Sequence, residues 1–291
     1  MLIDKAGKSA GLTKKAVAYY VEQGLVSPAV LPNGYRDFSK SDLDKLKKIS
    51  VYRKLGLSTE EIRAVLSGKN GDTLKKLSVK KTLALKKDQA KAGLLEQLSA
   101  GKPFQEIQSQ LDSINRNATV AEKLLEAFPG YYGRFICLHF SRFLNEPITT
   151  ERQHSAYEKI LAFLDEMPAL EFPEEIKSFL AETTGHIGTE AIQDLMEHTM
   201  RSIEDPARFL AENKEILDQY LAYQKTGEYL ASPAYRLREL LKEFNQSSGY
   251  YDVFLPAMRE LSVSYADYVQ KLDLANDKLL EAYPEAADLG S

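Results

Sequence analysis

Two short helical segments, each stopped by a glycine, leave the start of this chain few folds to choose from. Residues 2–10 (LIDKAGKSA) read as a short helix that Gly11 breaks, and a second helix with Thr13 as its N-cap runs to about Gln23, where Gly24 stops it. Two short helices joined through a glycine are the helix-turn-helix layout, whose second helix enters the DNA major groove. Ala6, Ala10, Leu12, Val17, Tyr20 and Leu25 supply the small core this layout needs. Between Val26 and Phe38, Asn33-Gly34 separates two short apolar runs, which is a strong local signal for a β-hairpin, here the wing.

Further along, Leu43, Leu46, Ile49 and Val51-Tyr52 recur at helical spacing between Ser39 and Leu55, and Gly56 ends that helix. Ser58 and Glu61 form a capping box for a short helix to Leu66. From Asp72 to about Ser99 runs a long Lys- and Leu-rich helix with Leu74, Leu77, Leu83, Leu85, Leu94, Leu95 and Leu98 as its apolar positions. Its heptad is imperfect, so it reads as a linking and dimer-forming helix, with a solvated helix packed on its own chain as the alternative. From Phe104 onward every segment reads as helical. Asp205-Pro206 and Ser232-Pro233 fix two helix starts, and segments such as Ala156 to Met167 and Ala207 to Tyr223 carry three-and-four apolar spacing. The expected fold is mainly all-α: a winged helix-turn-helix with a short hairpin wing over residues 1–71, a linking and dimerisation helix over 72–102, and a C-terminal α-helical bundle of seven or eight helices over 103–291.

Charge divides the chain in the same place. Residues 1–102 hold 21 Lys and Arg against 10 Asp and Glu, a balance of +11, whereas the remainder holds 17 against 32, a balance of −15. A compact basic unit draws a phosphate backbone and an acidic one does not. No long apolar run suggests a signal peptide or membrane span, so a cytoplasmic protein is expected, with no membrane partner. Cys137 is the single cysteine, which rules out an internal disulfide, a thiolate pair for zinc or copper and an iron–sulfur cluster. No metal and no cofactor is therefore expected.

Taken in order, Leu12-Thr13-Lys14-Lys15-Ala16-Val17-Ala18-Tyr19-Tyr20, Gly24-Leu25-Val26, Asn33-Gly34-Tyr35-Arg36-Asp37-Phe38, Asp42-Leu43 and Leu55-Gly56-Leu57-Ser58 with Glu61-Ile62 resemble the DNA-binding domain of MerR-family regulators over about residues 1–70. The resemblance implies a homodimer that grips one palindromic operator on double-stranded promoter DNA, with the long helix pairing antiparallel between protomers. It also implies an activator that bends and untwists that DNA when an effector binds, realigning the promoter elements for RNA polymerase. Thr13, Lys14 and Lys15 at the start of the recognition helix would face the groove floor. The resemblance gives Tyr20 a phosphate contact through its hydroxyl, with Tyr19 packed beside it, and gives Arg36 a backbone contact in a wing braced by Tyr35; plain core packing is the alternative for both tyrosines of the pair. Ala18 stands where the family usually has arginine and Val21 where it usually has an acidic residue, so one phosphate contact is missing. Arg53, Lys54 and Arg63 read as surface charges.

The C-terminal region is rich in tyrosine. Tyr131, Tyr132, Tyr220, Tyr223, Tyr250 and Tyr251 are the candidates for a pocket taking a small organic effector, aromatic or cationic and drug-like, as in multidrug sensing. Most tyrosines in such a domain are nevertheless half-buried helix-face residues. Phe135 to Phe140 is the most apolar stretch and reads as the bundle centre, with Cys137 an inert core thiol and His139 a satisfied core histidine. Glu151 and His154 have the Glu-x-x-His spacing of di-iron bundles, but there is no second copy. Gly185-His186-Ile187-Gly188 lacks the aspartate of a cobalamin loop, and no phosphate loop or serine elbow is present. The chain is thus not expected to be an enzyme. A helical domain serving protein interaction or oligomerisation without a ligand is the second reading, and an enzyme fused to a regulator the third.

Overall fold

The computed structural model describes residues 1–68 and 72–287, and the fold is mainly α-helical with one two-stranded antiparallel sheet. It divides into two compact units, 1–77 and 78–291. The expected boundary at residue 71 falls outside the described residues.

The first unit contains α1 (Ile3–Ala10), α2 (Lys14–Glu22), β1 (Ala29–Val30), β2 (Arg36–Asp37), α3 (Lys40–Lys54) and α4 (Thr59–Leu66). Local chemistry sets each boundary. Gly11 takes φ +65° and closes α1, and the Thr13 hydroxyl accepts from the Ala16 amide to open α2. Ser39 with Asp42 and Ser58 with Glu61 form full capping boxes at α3 and α4. The wing pairs Ala29 with Asp37 and Val30 with Arg36. Pro32, Asn33 and Gly34 form its loop, closed by the Leu31 amide to the Tyr35 carbonyl at 2.8 Å, with Gly34 at φ +80° where a side chain would be strained. Ala6, Val17, Tyr20, Leu25, Leu46, Ile49 and Ile62 fill the core. One position departs from expectation: Val51 is 54% exposed, and Ser50 is buried in its place on α3.

A fifth helix, α5 (Thr73–Ser99), contains the boundary between the units; Leu77 belongs to the first core and Val79 to the second. Then follow α6 (Phe104–Ala127), α7 (Gly130–Phe140), α8 (Glu151–Glu166), α9 (Glu174–Thr184), α10 (Thr189–Glu204), α11 (Pro206–Glu212), α12 (Lys214–Gln224), α13 (Gly227–Leu230), α14 (Pro233–Ser247), α15 (Leu255–Leu261) and α16 (Val263–Ala282). That is more helices than the seven or eight expected after residue 103. The segment read as continuous from Ala207 to Tyr223 breaks at Asn213, whose side chain turns back to donate to the Phe209 carbonyl. Past Gly249, at φ +86°, residues Tyr250–Phe254 form a π-helical turn ahead of α15. Asp205 and Ser232 cap α11 and α14 as their Asp-Pro and Ser-Pro pairs require.

The core of this second unit is aromatic. Phe140, Phe143, Phe254, Tyr265 and Tyr268 meet edge-on or tilted with ring centroids 4.9–5.5 Å apart. α7 runs through it, with Ile136, Cys137, Leu138 and Phe140 almost fully buried. Cys137 Sγ donates to the Ala121 carbonyl at 3.2 Å, as a core thiol does.

Candidate nucleic-acid interface

The first turn of α2 presents Thr13, Lys14 and Lys15 to solvent, and the Thr13 side chain is already committed to capping. Lys14 leans toward Asp4 at 3.7 Å, an exposed pair too weak to hold it away from a phosphate. Among the described residues neither Lys15 nor Arg36 has an ion-pair partner. In the wing, Tyr35 is 62% exposed and its amide donates to the Asn33 side chain at 3.1 Å, so the hairpin tip is stiffened by an Asx turn.

The two tyrosines of the pair differ in burial, and the core-packing alternative describes Tyr20. Tyr20 is 6% exposed and belongs to the core with Val17, one turn before it, while Tyr19 is 44% exposed. The reason is helical phase: Val17 and Tyr20 lie three apart on the inward face of α2, and Tyr19 lies off it. Tyr19 packs edge-on against Tyr20 at 5.6 Å between centroids, and its hydroxyl lies 3.3 Å from Thr59 Oγ1. The surface tyrosine of the pair is therefore Tyr19. Two further cations have structural roles that spacing did not reveal. Arg53 donates to the Leu57 carbonyl at 2.7 Å, and Arg63 to the Gln23 carbonyl at 2.9 Å, each satisfying a backbone oxygen at a helix end or turn. Ala18 and Val21 are part-buried, and Val21 packs against the core.

In the second unit the candidate tyrosines fall into two groups. Tyr132, Tyr250 and Tyr251 come together around the π-helical turn. Burial pushes the Tyr132 hydroxyl up to about 12, against a hydrogen bond from Asn245 that pulls the other way, and burial raises Tyr250 further. Tyr131 stands on the same turn of α7 with the Arg134 guanidinium 5.6 Å from its ring. Tyr220 and Tyr223 lie apart on α12, exposed, with Tyr223 against Tyr229 at 5.4 Å. Arg238 already covers the rings of Tyr229 and Tyr235. His139 is enclosed by Phe135, Phe140, Phe143 and Tyr268; burial, with the Arg142 charge second, lowers its pKa to about 4, so it is neutral near pH 7. His154 contacts the Arg116 guanidinium through Nδ1. Among the described residues no three His, Cys, Asp or Glu side chains gather as a metal site would need, and no helix is long and apolar enough to cross a membrane.

An open cleft of about 610 Å³ lies among α5, α6 and the connection from α7 to α8, and none of the candidate tyrosines lines it.

Comparison with known proteins agrees with the geometry of the first unit. Residues 1–69 match the family described as MerR HTH family regulatory protein. The chain is 40% identical over 67 residues to the HTH-type transcriptional regulator HmrR of Rhizobium leguminosarum bv. viciae, which is 23% of this chain and 52% of the relative. It is 35% identical over 68 residues to the heavy metal-dependent transcription regulator 2 of Rhizobium meliloti, 23% of this chain and 46% of the relative. With the HTH-type transcriptional regulator CueR of Salmonella typhi it shares 39% identity over 62 residues, 21% of this chain and 45% of the relative. The chain thus spans about half the length of the curated relatives it matches. No solved structure matches it. The two glycine-stopped helices, the wing and the two capping boxes that follow them fall within residues 1–69, the stretch that matches the MerR helix-turn-helix family.

Proposed function

We propose that this chain is a transcriptional regulator that binds a palindromic promoter operator as a homodimer, through α2 and the wing, and activates transcription by distorting the DNA when an effector occupies residues 78–291. The observation that carries the reading is a MerR-type winged helix-turn-helix whose exposed Lys15 and part-buried Arg36 hold no ion pair among the described residues. RNA polymerase at the promoter is the downstream partner, and a protein that works on chromosomal promoters works in the cytoplasm.

A small organic effector is favoured over the heavy metals in the relatives' names. Those matches cover less than a quarter of this chain, and Cys137 is the single cysteine, sealed in the core of α7. Residues 78–291 form a helical bundle with an open cleft, a setting in which small molecules commonly bind. No catalytic step is proposed. A second reading, a helical domain for protein contact without a ligand, draws on Ile216, Tyr220 and Tyr223, which stand exposed at spacings of four and three along α12.

Gel-shift and footprinting of the purified chain on the DNA upstream of its own gene test the proposal. A protected palindrome whose affinity falls steeply with salt is expected, and no salt-sensitive binding to such a site would sink it. Arg36→Ala should weaken binding evenly across sequences and flatten the salt slope by about 1, whereas Lys15→Ala should also change base preference.

A further inference from the structure

The cleft among α5, α6 and the α7–α8 connection differs chemically from the pocket that the tyrosine content suggested. Its volume, about 610 Å³, falls in the range of small-molecule sites. Leu94, Ala121 and Leu144 give it a buried apolar floor, and Leu83 and Ile114 extend that surface. Ser113 and Asn117 are buried at its back, each tied to the neighbouring connection: Ser113 Oγ accepts from the Ile148 amide at 3.0 Å, and Asn117 donates to the Glu146 carbonyl at 2.8 Å. The walls are thus fixed to one another by buried hydrogen bonds.

Five charged groups line the cleft: Lys86, Lys87 and Arg142 against Glu122 and Glu146. The two carboxylates are not equivalent. Glu146 accepts from the Val263 and Ser264 amides, both at 2.9 Å, and from the Ser262 hydroxyl, so its charge is directed to the N-terminus of α16. Glu122 is exposed. Lys87 and Arg142 are part-buried, and among the described residues neither they nor Lys86 hold an ion pair. A part-buried cation above an apolar floor is stabilised by an anion with an apolar body.

We infer that this cleft is the effector site and that it takes a small organic anion, a carboxylate or sulfonate with an aliphatic or aromatic body, held by Lys87 and Arg142. The inference rests on the reading of residues 78–291 as an effector domain. It also gives the ligand a route of action. Lys87 and Leu94 stand on α5, the helix whose first residues belong to the DNA-binding unit, so a ligand gripping this wall bears on an element shared by both units.

The full chain has no tryptophan, so the emission of 1-anilinonaphthalene-8-sulfonate, an apolar ring system with one sulfonate, can be titrated without tryptophan overlap. Lys87→Glu and Arg142→Gln should each weaken dye binding about tenfold, the size of one lost charge-assisted contact. Decanoate should displace the dye and decyltrimethylammonium should not. Circular dichroism checks folding, and because Lys87 and Arg142 are both part-buried, Lys86→Glu, on the exposed cation of the cleft, serves as the surface-only variant and should weaken dye binding by a smaller factor in the same direction. Equal dye affinity in folded variants, or displacement by the ammonium as good as by decanoate, overturns the assignment of the cleft. Gel-shifts on the same preparations separate the two readings. Selective dye binding without operator binding overturns the regulator and leaves the cleft as an anion site, whereas operator binding with an indifferent cleft overturns only the cleft. Decanoate that binds but leaves the operator footprint unchanged overturns its role as effector site.

Discussion

Tyr19 and Tyr20 are neighbours in sequence and opposites in environment, and the difference is measurable. Replacing Tyr20 with alanine removes a ring from a core that holds Val17, Leu25 and Ile49, and should destabilise the first unit by roughly 3–5 kcal/mol, read from denaturant unfolding. Tyr19→Phe loses only the hydroxyl contact with Thr59 and should cost under about 1 kcal/mol, so equal losses at the two positions would contradict the burial described here. The inward choice was legible in the sequence, since Val17 and Tyr20 lie one turn apart on α2. His139 carries a second residue-scale consequence. Its folded pKa of about 4 lies below its ordinary 6.5, so the unfolded chain binds more protons between those values, and stability present above 6.5 is lost as pH falls toward 4. The loss due to this one group is at most about 3 kcal/mol. Denaturation of the full chain at a series of pH values, compared with His139→Phe, should show a shallower acid slope in the variant; parallel slopes would mean that His139 titrates as a solvated imidazole.

At the scale of elements, what the sequence revealed was what short-range chemistry decides. Thr13, Ser58, Asp205 and Ser232 each cap the helix expected of them, because a hydroxyl or carboxylate two or three residues before an orphan amide acts without help from the rest of the fold. The break at Asn213 and the π-helical turn after Gly249 were not read from the sequence: the apolar spacing runs on through Asn213, whose side chain bonds back to the Phe209 carbonyl, and a glycine at positive φ does not by itself announce a π-helical turn. Nor was the cap of α16 by Glu146, which reaches across 117 positions to the Val263 amide. Burial pushes this carboxyl up, yet hydrogen bonds from Ser264, Val263 and Ser262 outweigh it and hold the group below its usual range. Glu146→Gln keeps the shape and removes the charge, and should destabilise the second unit by about 1 kcal/mol at pH 7 while leaving stability below the ordinary carboxyl range unchanged. Thermal melts at neutral and acid pH check this, and an equal effect at both would show that charge is not what α16 needs.

For the molecule as a whole, the charge split and α5 together bear on assembly. A basic N-terminal part of +11 on an acidic remainder of −15 restricts phosphate binding to one end, and one such end grips only half of a palindrome. On the proposed reading a second copy of the chain binds the other half, and we propose α5 as the surface that pairs the two. Leu85, Ala92 and Leu95 follow one another at spacings of seven and three, which sets them along one face, and Leu85 and Leu95 are 59% and 67% exposed. Side chains of that exposure contribute almost nothing to the fold of a single chain, so Leu85→Glu combined with Leu95→Glu should change monomer stability by less than about 0.5 kcal/mol. If α5 pairs with its counterpart, the same double variant should sediment as a monomer at micromolar concentration and lose operator affinity on the order of 100-fold, because two half-sites would no longer be bound by one tethered pair. A folded double variant that still sediments as a dimer would move the interface off this face of α5, and one that is monomeric yet binds the operator at full affinity would remove the homodimer from the account of DNA recognition.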